Sequence, residues 1–145
     1  MKKTVKQYSE VERRLMKEYF QSKGITKYQF SPADGYDQWD GKFVDGQDQI
    51  IFDVKVRNIP STMYNTTIIN ESKYDFLTKY TEDTNVKPYI FVFFTDGKVF
   101  VKNLKRVKKN IVEKTADKVT AEPEKGKKVH RYCEIYIDEL SLINY

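Results

Sequence analysis

The sequence is poor in the residues that most often carry a site by themselves. Among its 145 residues it holds one cysteine, one histidine and one tryptophan. The lone thiol, Cys133, excludes a disulfide framework and a zinc site built from several cysteines, and it fits a reducing compartment. The single histidine, His130, stands without a partner motif and reads as a surface or satisfied residue. No apolar run approaches ~18 residues, so nothing is patterned to cross a bilayer. The opening MKKTVKQYSE lacks the apolar region of a secretory signal, and the expected location is the cytoplasm. There is no internal repeat and no long low-complexity segment.

What is present suits one domain with one core. Hydrophobic residues make up 39% and charged residues 32%, with a formal net charge of +5. That excess fits a polyanionic partner without demanding one. The 11 tyrosines and 9 phenylalanines are expected mostly in the core, with some free to stack on bases.

Residues 9–23 (SEVERRLMKEYFQSK) read as an amphipathic helix stopped by Gly24. At about 100° per residue, Val11, Leu15, Tyr19, Met16 and Phe20 form one apolar arc. ITKYQF (25–30) reads as a first strand and SPADG (31–35) as a turn. YDQWDGKFV (36–44) and QIIFDVKVR (49–57), flanking DGQD, read as a hairpin. After an irregular stretch comes a helix near 71–80, then the apolar run PYIFVFF (88–94), expected to be a strand buried on both faces. KVFVKNL (98–104) and HRYCEIYI (130–137) are further strands. The Lys- and Glu-rich residues 105–128 read as a loop or insert. The order predicts a layered α/β domain with a mixed sheet, spanning residues 1–145.

One strand asks for an explanation. In IIFDVKVRN (50–58), Ile50, Phe52, Val54 and Val56 share one face, while Ile51, Asp53, Lys55 and Arg57 share the other. An acid that binds a divalent cation wants a second carboxylate nearby. With a four-residue DGQD loop, Asp40 lies opposite Asp53. With a loop of Asp45-Gly46 alone, Gln38 takes that place and Asp40 faces Ile51. Asp40 shares the Asp53 face either way; Asp37 does so only with a bulge, and Asp45 and Asp48 read as turn residues. On the first helix Glu12 falls in the middle of the apolar arc, where an unpaired carboxylate is costly. Ser9-x-x-Glu12 also matches a capping box, an alternative reason for that acid.

A helix with an inward Glu12, an Asp40 opening the second strand (WDGKF), and Asp53-x-Lys55 on the third (FDVKVR) resembles the PD-(D/E)XK nuclease superfamily. INESKYDFL and YIFVFF continue the pattern, which covers roughly residues 9–104. It is most similar to archaeal-type Holliday-junction resolvases and small phage-encoded nucleases. The proline of the family name is absent, since Gln38 and Trp39 precede Asp40. The resemblance implies a three-layer αβββαβ restriction-endonuclease-like core with a mixed central sheet and additional C-terminal strands. It also implies a metal-dependent DNA endonuclease, phage or mobile-element encoded and reading DNA structure more than sequence.

Under that resemblance Glu12, Asp40, Asp53 and Lys55 are the catalytic set. Glu12, Asp40 and Asp53 would hold one or two Mg²⁺ or Mn²⁺ ions. Lys55 would orient or deprotonate the attacking water, or neutralise charge on the phosphate. Arg57 and Lys73 would touch flanking phosphates, and the run Lys105, Arg106, Lys108 and Lys109 would add non-specific backbone contacts or simply form a solvated face. The implied partners are DNA and a second copy of the chain, because two strands need two sites. The rival reading is an inactive copy of the fold that binds nucleic acid or protein.

Overall fold

The computed structural model describes residues 5–32, 39–117 and 123–143. Helix α1 spans Val5–Lys23 and is followed by strands β1 (Tyr28–Phe30), β2 (Gly41–Asp45), β3 (Asp48–Val56) and β4 (Thr66–Asn70). Helix α2 (Glu71–Tyr80) leads to β5 (Lys87–Phe93), β6 (Val99–Asn103), β7 (Ile111–Asp117), β8 (Lys127–Tyr136) and β9 (Ser141–Ile143). The central sheet has the order β1-β2-β3-β5-β6-β9 and a smaller one the order β4-β8-β7. β3 and β5 run parallel and the other central pairs antiparallel, so the sheet is mixed. A parallel pair needs a crossover, and β4 with α2 supplies it.

Three layers follow from side-chain parity. The even residues of β3, Ile50, Phe52 and Val54, pack with Phe91, Phe93 and Val99 against Met16, Tyr19 and Phe20 of α1. The residues of opposite parity, Ile51, Ile90, Val92 and Phe94, meet Tyr74 and Leu77 of α2 with Ile69, Cys133 and Ile135 of the small sheet. β5 is therefore apolar on both faces, as its unbroken run predicts. No helix among the described residues is long and apolar enough to cross a membrane.

Some expected boundaries move. α1 begins at Val5 rather than Ser9, because neither glycine nor proline interrupts the preceding residues. Ser9 therefore lies a turn inside the helix rather than at the N-cap position that a capping box requires. The segment 105–128 is no simple loop: it contains a 3₁₀ turn at Leu104–Arg106 and strand β7. β7 (IVEKTAD) mixes apolar and charged residues and owes its form to pairing with β8 along its whole length. β4, in the stretch expected to be irregular, pairs with the other side of β8.

The β2–β3 hairpin carries the most information. Asp45 pairs with Asp48 and Gly41 with Phe52, and Gly46 turns the chain with φ 63°. Continuing that register by one residue sets Asp40 across from Asp53, as the longer loop predicts. Gly41 closes the strand where nothing larger fits. A Cβ there would lie 2.5 Å from Phe52 Cζ and 2.7 Å from the Gln29 carbonyl oxygen. Gly41→Ala is expected to cost about 1–3 kcal/mol, because one neighbour is backbone and the other a packed ring. The urea unfolding midpoint measures this; an unchanged midpoint would mean that β1 and β2 separate freely.

Candidate active site

β3 supplies the centre. Asp53 is completely buried, with 0% of its surface exposed, at a place where the apolar floor under α2 would otherwise continue. Two ammonium groups meet it. Lys73 Nζ donates to Oδ1 at 2.8 Å, and Lys55 Nζ lies 3.0 Å from Oδ2. The Lys55 contact is an ion pair without hydrogen-bond geometry, so Oδ2 is a buried acceptor that no donor in the described structure satisfies. Lys55 arrives by strand parity. Lys73 arrives from the first turn of α2, whose start is fixed by Asn70 Oδ1 accepting from Ser72 N at 3.0 Å.

Asp40 is locked by three hydrogen bonds. Its amide donates to the Phe52 carbonyl at 2.8 Å, and its own carbonyl accepts from Ser31 N at 2.9 Å. Its carboxylate Oδ2 accepts from Val54 N at 2.6 Å. The side chain thus takes over the ladder where β2 ends, which holds the acid against β3. α1 is anchored nearby, since Arg13 donates to the Ser31 carbonyl and lies over the Phe30 ring.

The charges sort themselves by surroundings. Burial would raise Asp53, but Lys55 and Lys73 outweigh it and hold this carboxyl below the usual range. Asp40 moves the other way, well above the usual range, through burial and the Asp53 charge. Glu12 rises from 4.5 to about 7 through burial and Asp53, partly offset by the two lysines. Lys73 is raised: burial opposes its charge, but Asp53 and Asp40 prevail. Each of the two aspartates bears on the other's titration, the Asp53 charge raising Asp40. One acid held below its usual range beside two raised above it is a pattern typical of functional carboxylate clusters.

Glu12, Asp40, Asp53 and Lys55 are therefore brought together, and Lys73 joins them as a direct partner of Asp53. The other expected contacts lie elsewhere. Arg57 Nη2 donates to the Ile68 carbonyl at 2.6 Å and Nε to Thr67 Oγ1 at 3.3 Å, so it braces β3 to β4. Lys105 Nζ donates to the Thr81 carbonyl at 2.6 Å, beyond the end of α2. Lys109 pairs with Glu71 and Asp75, which by helical spacing face away from Lys73. Arg106 and Lys108 are exposed and make no described contact with the acids. Asp37 lies outside the described residues.

The donor set fits a hard divalent cation. It offers carboxylate oxygens only, one of them buried without a donor. No three His, Cys, Asp or Glu residues among those described stand close enough to hold one ion by themselves. Mg²⁺ suits such a place, because it usually takes one or two carboxylates and keeps several waters.

No protein-family model matches the chain, and no curated protein does. Its three layers and mixed sheet form a restriction-endonuclease-like fold. Among solved structures it is similar to Hjc of Archaeoglobus fulgidus, a Holliday junction resolvase from an archaeal hyperthermophile, with a TM-score of 0.59 and 8% identity over 90% of this chain and 85% of that one.

Glu12 makes a pH prediction. Its folded pKa is raised, so between about pH 4.5 and 7 the folded chain holds a proton that the unfolded chain has released. Stability from this group therefore falls as pH rises through that window. In melts with EDTA, Glu12→Gln should be more stable than the parent at pH 8 and equal to it near pH 4. Parallel curves at every pH would remove Glu12 from the cluster.

Proposed function

We propose that the protein is a divalent-metal-dependent endonuclease that hydrolyses DNA phosphodiester bonds and selects its substrate by structure rather than base sequence. The observation that carries this reading is the buried Asp53, flanked by Asp40 and Glu12 and met by the ammonium groups of Lys55 and Lys73. Asp53 and Asp40 would hold Mg²⁺ or Mn²⁺, with Glu12 at a second ion or at its water shell. When bound, such an ion acidifies water and offsets negative charge at a phosphate.

The side chains have separable tasks. Lys55, stiffened by the strand beneath it, places one point charge beside Asp53 Oδ2, where it can donate to a phosphate oxygen and hold the attacking water. Lys73 keeps Asp53 ionised. Glu12, raised to about 7 by burial and by Asp53, would give up its proton as an ion or its water shell arrives beside it. Asp40 is held against β3 by the Val54 amide. The resolvase likeness supports the fold on which this set is carried.

Single-turnover cleavage of plasmid and branched DNA in Mg²⁺ or Mn²⁺ tests the reading. Asp53→Asn should remove cleavage, and a variant cutting at the parental rate would refute the assignment. Lys55→Arg should keep the fold but lose about 10²-fold in rate, because the planar guanidinium is bulkier and places its donors differently. Normal cutting by Lys55→Arg would reduce Lys55 to a counter-charge. DNA binding without turnover by the parent would favour an inert module.

A further inference from the structure

Beside the acids lies a cluster that the cleavage site does not use. Trp39, adjacent to Asp40 in the chain, packs its ring 5.6 Å from Phe76 and 4.9 Å from Tyr80. Phe76 and Tyr80 stack at 5.7 Å with only 17° between their planes. Phe76 lies about one turn beyond Lys73 on α2. Tyr80 is 52% exposed, a large aromatic fixed by two others yet open on one side. It walls an open groove of about 490 Å³ whose lining also includes Tyr28, Lys27, Lys42, Val44 and Ile51. Lys42 and Val44 have the parity of Asp40, so the floor is the same face of the hairpin that carries the acids. Neither Lys27 nor Lys42 has an ion-pair partner among the described residues, unlike Lys87 and Lys109.

We propose that this groove binds an unpaired nucleic-acid strand, with a base stacking on Tyr80, which Trp39 and Phe76 hold in place, and the backbone following Lys27 and Lys42. The inference rests on the nuclease reading and narrows its substrate to DNA with a single-stranded branch, flap or end. Intact duplex offers phosphates and base edges to a protein, whereas an unpaired base offers its whole π-face. Rings already held by one another lose little freedom on stacking, and free ammonium groups match the backbone charge. A second protein chain would use the rings but leave the two lysines unmatched.

The chain's only tryptophan sits in this cluster, so stacking has its own signal. Parent protein in EDTA is titrated with labelled oligothymidylate and with a blunt hairpin duplex of equal length. Tryptophan emission and label anisotropy are both read. The oligonucleotide should quench Trp39 and bind more tightly than the duplex. Tyr80→Ala should weaken its binding about tenfold, and Tyr80→Phe by no more than twofold. Lys27→Gln with Lys42→Gln should flatten the salt dependence. Absence of quenching, equal affinity for the duplex, or parental binding by Tyr80→Ala each overturns the proposal. So does a Tyr80→Ala protein whose sedimenting mass halves while oligonucleotide binding stays unchanged, since the rings then join two copies. No step requires cleavage: quenching by a protein that never cuts keeps the groove and discards the nuclease, and cutting without quenching does the reverse.

Discussion

A buried carboxylate between two lysines governs this molecule. Asp53 is shut away from water, and an ion there is tolerable only while opposite charge stays within contact distance. Lys55 and Lys73 meet that need from a strand and a helix. Removing one partner of such a pair commonly costs about 3–5 kcal/mol, because it strands the other charge. The docking of α2 on the sheet is therefore an electrostatic event as well as an apolar one. Leu77 and Tyr74 bury the apolar side of the helix, and Lys73 answers Asp53 in the same movement.

The cluster is also poised between protons and cations. With Asp40 and Glu12 both held above the usual carboxylate range and two ammonium groups facing Asp53, its resting charge leans positive. On the proposed reading, a divalent ion arriving there would compete with protons on those two acids and with the lysines for Asp53. Metal affinity in such a cluster rises with pH, and binding releases protons. The same positive balance makes the place hospitable to a phosphate. On the proposed nuclease reading, cation and phosphate would favour each other, each reducing the repulsion that the other meets.

Much of this arrangement was legible in the residues. Strand parity alone put Asp53 and Lys55 on one face, and the longer turn put Asp40 opposite. The helical arc through Met16, Tyr19 and Phe20 is the buried one. These are local regularities with a fixed period, so they survive without knowledge of the tertiary structure. What escaped depends on distant partners. Thr66–Asn70 and Ile111–Asp117 become strands because β8 lies between them. The bond of Lys73 to Asp53 spans 20 residues and a crossover. Arg57 looked free for phosphate by parity, but its reach to Ile68 belongs to the second sheet. The Trp39, Phe76 and Tyr80 cluster joins a loop to a helix, and no spacing rule links them.

Cys133 gives the small sheet a further property. It sits wholly buried in β8, opposite Ile69 on one side and Ile111 on the other, and burial pushes its thiol above the ordinary range. No other cysteine in the chain competes for reagent. A thiol-reactive label therefore reaches the molecule only when β8 parts from its neighbours. The rate of modification counts those openings directly. That layer also carries the Arg57 brace and packs beside α2, so the clock reads how often the support behind Lys73 is withdrawn.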